Sequence, residues 1–277
     1  MPILTLGYSP CPNDTFIFYP LVHGKISLDD LMFRVQLEDV ETLNRLALEA
    51  MLDVTKVSFH ALGFIRREYA LLRSGSALGR GCGPLLVASE FMALDKIKKE
   101  KIAIPGMYTT AHLLLKLYLG RDTQTVTMLF HQVMDAVKRG DFKAGVIIHE
   151  GRFTYQVHGL KKILDLGEWW ENTTGLPIPL GGIVVRRSLG FEITRRVERL
   201  VRESVTYALT YPEETREYIK IHAQELDEEV IKQHIGLYVN PLSLDLGVEG
   251  QKAVEYLFKL AEKQGLLPKL SGSLFIE

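Results

Sequence analysis

His149 ends the apolar run Ala144-Gly145-Val146-Ile147-Ile148 and is followed by Glu150-Gly151-Arg152. An imidazole brought by a buried strand to the rim of a cleft has the proton affinity a general base needs near neutral pH. The competing explanation is a structural or simply exposed histidine, and His60, His112 and His131 also fall near strand ends or helix starts. A second kind of chemistry belongs to Pro105-Gly106-Met107-Tyr108-Thr109-Thr110-Ala111, which follows a strand-like run and opens a helical one. The free N–H groups of a first helical turn can seat a carboxylate or phosphate, although the threonines could do no more than cap the helix. Asp53-Val54-Thr55-Lys56-Val57-Ser58 runs as a strand into a loop, where Ser58 and the backbone of Lys56 could hold a ligand or Ser58 could cap the helix after Phe59. Asn44 faces away from the apolar stripe of its own helical stretch and is expected to be solvated. In Tyr8-Ser9-Pro10-Cys11-Pro12-Asn13-Asp14-Thr15 two prolines stiffen the loop, Asn13 or Asp14 is placed to cap the next helix, and Cys11 has the look of a packed thiol.

The elements that must position these residues alternate from the start. Ile3–Tyr8, Phe33–Leu37, Val54–Ser58 and Tyr69–Arg73 are strand-like, and Glu41–Leu52 carries Leu43, Leu46, Ala47 and Ala50 on one helical face. After the glycine-rich stretch at 75–83 the rhythm restarts with strands at 85–89, 101–104, 126–130 and 144–149. A second break, Gly175-Leu176-Pro177-Ile178-Pro179-Leu180-Gly181-Gly182, precedes a strand over 183–186, and nearly everything beyond it is helical. Two breaks of this kind predict an α/β fold of two lobes joined by two crossover segments. Residues 1–84 and 187–277 would form one lobe, with a helical C-terminal tail, and 85–186 the other. Ligands of open α/β sheets bind beyond the carboxyl ends of strands and in clefts between lobes, where the candidate loops fall.

The bulk numbers remove several function classes. A chain of 277 residues is long enough for two lobes, and 47% hydrophobic with 24% charged residues is ordinary for a globular protein. The net charge of −1 argues against a nucleic-acid partner. No signal-length apolar stretch, membrane span or lipid anchor is visible, so a cytoplasmic location without a membrane partner is expected. Two cysteines, far apart in sequence, and no histidine pair at helical spacing give no metal site. No dinucleotide fingerprint, P-loop or Gly-x-Ser-x-Gly elbow occurs. What remains is a cleft, an anion seat and a base, hence a small anionic ligand.

At these same loops the chain resembles the 1,4-dihydroxy-6-naphthoate synthases of the futalosine route to menaquinone. The resemblance is carried by Gly7-Tyr8-Ser9-Pro10-Cys11-Pro12-Asn13-Asp14-Thr15-Phe16, Lys56-Val57-Ser58-Phe59-His60-Ala61 and Gly79-Arg80-Gly81-Cys82-Gly83-Pro84-Leu85. Ile147-Ile148-His149-Glu150-Gly151-Arg152-Phe153-Thr154-Tyr155 and Tyr238-Val239-Asn240 extend it to nearly the whole chain. It implies a two-lobed type II periplasmic-binding-protein-like fold used as a lyase. The substrate would be cyclic dehypoxanthine futalosine and the products the dihydroxynaphthoate and dihydroxyacetone. It further implies His149 as proton acceptor, Lys56, Val57 and Ser58 holding substrate from one lobe, Thr110 and Ala111 from the other, and Asn44 in support. Aromatisation would drive the reaction without a metal or redox cofactor, in a monomer or homodimer. The rivals are a chorismate dehydratase of the same pathway, a non-catalytic solute-binding receptor for a small carboxylate, and a ligand-sensing regulatory domain.

Overall fold

The computed structural model describes residues 2–224, 227–269 and 272–275; the other residues of the expected first lobe lie outside these. Eleven strands are present among the described residues: β1 Ile3–Tyr8, β2 Met32–Leu37, β3 Val54–Ser58, β4 Tyr69–Leu71, β5 Ala77–Gly79, β6 Leu85–Ala88, β7 Ile102–Ile104, β8 Thr125–Thr127, β9 Ala144–Ile147, β10 Lys161–Asp165 and β11 Ile178–Arg186. They form two sheets. The first has the order β2-β1-β3-β11-β4, with β5 also paired to β11, and the second the order β10-β6-β9-β7-β8. The chain therefore crosses from the first sheet to the second between β5 and β6, and returns between β10 and β11.

β11 differs from expectation. The sequence pattern puts only residues 183–186 in a strand, at the end of the second lobe, yet the strand runs antiparallel to β3, β4 and β5 in the first sheet. The reason is local. Ile183, Val184 and Val185 are fully buried, as a central strand requires, and Gly181 and Gly182 of the second break are part of the strand itself, whereas Gly175 ends the helix before it. A Cβ on Gly181 would lie 2.7 Å from the Val57 carbonyl oxygen, so only glycine admits this pairing with β3.

Helices cover both sheets. The helix Val40–Leu48 starts where Asp39 accepts from the N–H groups of Glu41 and Thr42, and it stops short of Leu52 because Ala50 takes a left-handed backbone. The C-terminal helices Gly190–Thr210, Pro212–His222 and Glu228–Tyr238 return to the first lobe. There Val197, Leu200, Val201 and Val205 share a core with Leu4, Leu6, Phe16 and Ile17. A second core runs continuously from Val57 and Leu78 through Leu86 and Leu113 to Trp170, so apolar packing binds the two lobes into one body. No helix of the described residues is long and apolar enough to cross a membrane.

Candidate active site

Between the lobes lies a cavity lined from both of them, by Ser9, Lys56 and Ser58 on one side and Thr110 and His149 on the other. Six of the candidate residues line it: Lys56, Val57, Ser58, Thr110, Ala111 and His149. Asn44 does not; it stands directly behind Ser58.

His149 follows β9 and Ile148, and its backbone is left-handed at φ 54°. Non-glycine residues seldom take this conformation, and where they do the surroundings hold them there. Here the turn is pinned by Arg152, whose guanidinium donates to the Gly83 carbonyl at 2.6 Å and to Asp165 Oδ2 at 2.7 Å. The His149 ring packs edge-on to Phe130, with centroids 5.2 Å apart, and nearly parallel to His234 at 6.0 Å. Burial lowers its pKa to about 4; Asp14 works against that shift and Lys56 adds to it. At neutral pH the imidazole is therefore uncharged and has a free lone pair.

Asn44 overturns the expectation of a solvated side chain. It is fully buried, with Oδ1 accepting from the Ser58 N–H at 2.8 Å and Nδ2 donating to Ser58 Oγ at 3.1 Å. Its helix turns this residue onto the end of β3, a direction the apolar stripe alone does not reveal. Because Ser58 Oγ already accepts, its hydroxyl hydrogen is left to donate into the cavity. Ser58 does occupy the N-cap position of Phe59–Ile65, but its side chain makes no cap bond.

The threonine pair divides its work. Thr109 caps the helix Thr110–Leu119 by accepting from the His112 N–H, while Thr110 Oγ1 donates to the Leu180 carbonyl at 2.6 Å and accepts from the His60 N–H at 3.3 Å. The N–H groups of Thr110 and Ala111, first in the helix, have no intrahelical acceptor within reach, and both residues line the cavity.

The loop before Pro12 is built differently from expectation. Neither Asn13 nor Asp14 caps its helix: Cys11 is the N-cap residue, and Pro12 has no N–H to satisfy. Asp14 instead accepts from the Ser9 hydroxyl at 2.8 Å and from Lys56 Nζ at 2.8 Å. Both members of this ion pair are buried, and Lys56 also donates to the Gly75 carbonyl. Asn13 Nδ2 donates to Asp14 Oδ1, and its Oδ1 accepts from His234 Nε2 at 2.9 Å. This bond fixes the tautomer of His234, whose pKa burial and the His149 charge push well below the ordinary histidine value. Nothing in the sequence pointed to His234, which lies on an otherwise ordinary amphipathic helix.

Two of the other candidate histidines have structural tasks. His60 and His112 are buried and donate from Nδ1 to the carbonyls of Thr109 and Met107, and His131 is exposed. Cys11 is a buried neutral thiol, its pKa raised by burial and by the Glu150 charge. Tyr238 lines the cavity and donates to the Cys82 carbonyl, whereas Asn240 caps the short helix Pro241–Leu244.

Two sheets crossed twice by the chain, with a ligand-sized cleft between them, define the class of periplasmic-binding-protein-like folds. A Candida albicans protein described as showing the generic periplasmic binding protein fold is similar at a TM-score of 0.69 and 15% identity, with 98% of this chain and 92% of that one covered. A crystal structure of an Archaeoglobus fulgidus protein is similar at a TM-score of 0.91 and 37% identity, covering 96% of this chain and 98% of that one.

Within this class the chain belongs to the menaquinone biosynthesis family, whose model matches residues 4–263. It is 49% identical over 276 residues to a Thermus thermophilus protein named 1,4-dihydroxy-6-naphthoate synthase, with 100% of both chains covered. A Streptomyces coelicolor protein of the same name is 46% identical over 276 residues, covering 96% of this chain and 95% of its own.

Proposed function

We propose that the chain is a 1,4-dihydroxy-6-naphthoate synthase, a carbon–carbon lyase that converts cyclic dehypoxanthine futalosine to 1,4-dihydroxy-6-naphthoate and dihydroxyacetone. The observation that carries the chemistry is His149, neutral and held in a left-handed turn on the cavity wall, facing the same space as Ser58 and the Thr110–Ala111 helix start. The activity itself is supported by the two full-length relatives of that name.

In this reading His149 takes a carbon-bound proton from the substrate. The electron pair left behind expels the sugar-derived fragment as its C–C and C–O bonds break, and the ring becomes aromatic. Substrate and products balance with neither oxidant nor water consumed. Ser58 Oγ and the first N–H groups of the helix Thr110–Leu119 hold an anionic oxygen, the substrate carboxylate or a developing enolate. Asn44 orients Ser58, and Lys56 and Val57 shape the wall from the first lobe. Lobe closure excludes water from the intermediate.

Incubating the purified, metal-free chain with cyclic dehypoxanthine futalosine is expected to form the naphthoate, followed by absorbance and mass. His149→Ala is expected to lose about 10²–10⁴-fold in kcat while still binding product. Full turnover in that variant would remove His149 from the role. No naphthoate, but dehydration of chorismate or turnover-free binding of a carboxylate, would overturn the synthase assignment and leave the fold standing.

A further inference from the structure

We propose that Cys11, His149 and Glu150 form a binding site for one thiophilic divalent cation, zinc above all, and that this ion blocks turnover by occupying the proton-accepting nitrogen of His149. The blocking half of the proposal rests on the general-base reading above; the binding half does not.

His149 and Glu150 are neighbours in the chain, Cys11 is far from both, and the fold brings the three together. One ligand atom from each lies within 4.8 Å of the other two. Zinc bonds of about 2.0–2.3 Å set tetrahedral neighbours roughly 3.3–3.8 Å apart, so the donors must draw together by about 1 Å, within the reach of side-chain rotation. A thiolate, an imidazole and a carboxylate make the mixed S, N and O set that suits zinc rather than magnesium or calcium.

The supports of these donors are fixed. Cys11 is the N-cap residue of Pro12–Val22, and its N–H lies 3.4 Å from Ser9 Oγ. Glu150 shares the turn that Arg152 anchors to Gly83 and Asp165. Cys11 and Glu150 are buried while His149 borders the cavity, which gives three protein ligands and a fourth position open toward the ligand space. Such an arrangement takes up and releases an ion, unlike a closed structural centre.

Charge balance also fits. On binding, the Cys11 thiol releases its proton to solvent, and the resulting thiolate together with the Glu150 carboxylate neutralises the dication. The nearby Lys56 ammonium does not repel the ion at full strength, because Asp14 sits against it at 2.8 Å. The lone pair that ligates the metal is the one that would accept the substrate proton, so the two uses of His149 exclude each other.

The test titrates the metal-free full chain with Co²⁺ as a spectroscopic stand-in, beside a turnover assay with Zn²⁺. A thiolate-to-cobalt charge-transfer band in the near ultraviolet is expected, displaced by zinc and absent in Cys11→Ser. Zinc is expected to inhibit turnover and a chelator to restore it. Cys11→Ser should keep the parent turnover but raise the half-inhibiting zinc concentration at least ~10-fold, with Glu150→Gln shifting it in the same direction. No charge-transfer band at millimolar cobalt, or one that survives Cys11→Ser, overturns the site. A band lost in Cys11→Ser, with turnover untouched by saturating zinc, supports the site and overturns the base role of His149 instead.

Discussion

At the scale of single residues, the proposed chemistry depends on how side chains behind the cavity wall set the state of those in front. His149 is the first case. An ordinary histidine would be half protonated near pH 6.5, whereas burial lowers this one to about 4. The base form is the active one, so kcat/KM, which reports the free enzyme, is expected to stay level as pH falls from 8 to 6. A profile that halves near pH 6.5 would show an ordinary, hydrated imidazole. Asn44 and Ser58 are the second case. In Asn44→Asp the new carboxylate still accepts from the Ser58 N–H but cannot donate to Oγ, so the Ser58 hydroxyl turns toward it and is lost to the ligand. KM is expected to rise about 10–100-fold with a smaller change in kcat, and the effect should not add to that of Ser58→Ala. Additive losses would separate the two residues. The placement of Ser58, Thr110 and His149 at the cavity follows from the sequence pattern because each ends a strand or opens a helix, and such positions reach a cleft. Asn44 entered only through the family resemblance and His234 not at all, because what marks them in the structure is a distant partner: Ser58 for one, Asn13 for the other.

At the scale of elements, the crossings between lobes matter most. Gly83, just before β6, lies so close to Gly167 that a Cβ on it would come within 2.3 Å of the Gly167 backbone. Backbone cannot step aside as a side-chain tip can. Gly83→Ala is therefore expected to cost about 1–3 kcal/mol, read as a lowered urea midpoint. It should also disturb the Gly83 carbonyl that Arg152 uses to pin the His149 turn. An unchanged midpoint would mean that the start of the helix Leu166–Thr174 shifts freely. Among the strands of the first sheet, β1 and β3 could be read from hydrophobic runs because they are buried, and apolar periodicity records burial; β5 could not, since it lies inside the glycine-rich stretch at 75–83. β10 escaped notice, since Lys161 and Lys162 are exposed and its pairing to β6 is irregular. β11 was cut in half for the opposite reason. Its prolines and glycines look like a loop, but they serve close strand pairing and a β-bulge against β5.

At the scale of the whole molecule, the lobes are fastened by a few buried polar bonds beside the apolar core. Thr110 Oγ1 reaches the Leu180 carbonyl, the Tyr108 N–H reaches Glu41 Oε2 at 3.0 Å, and His60 Nδ1 donates to the Thr109 carbonyl at 3.2 Å. His60 is the titratable member of this set. Burial, together with the charge on His112, lowers its pKa to about 3, so it stays neutral in the folded chain well below the pH at which an unfolded chain would protonate it. The sign follows from proton counting. Between about pH 6.5 and 3 the unfolded state binds a proton that the folded state refuses, so stability is complete above pH 6.5 and is lost as pH falls toward 3. Each such histidine steepens the loss by about 1.4 kcal/mol per pH unit inside that window, and His149, also depressed, adds to it down to about pH 4. Urea midpoints from pH 7.5 to 4.5 are expected to fall in the parent and to fall less steeply in His60→Gln, which has no proton to gain. The amide of that variant can still donate toward the Thr109 carbonyl, so its stability at pH 7.5 should drop far less than its slope. An unaltered slope would show that His60 takes up a proton as readily in the folded chain as in the unfolded one, and the lobes would then have to part at that bond to let water in.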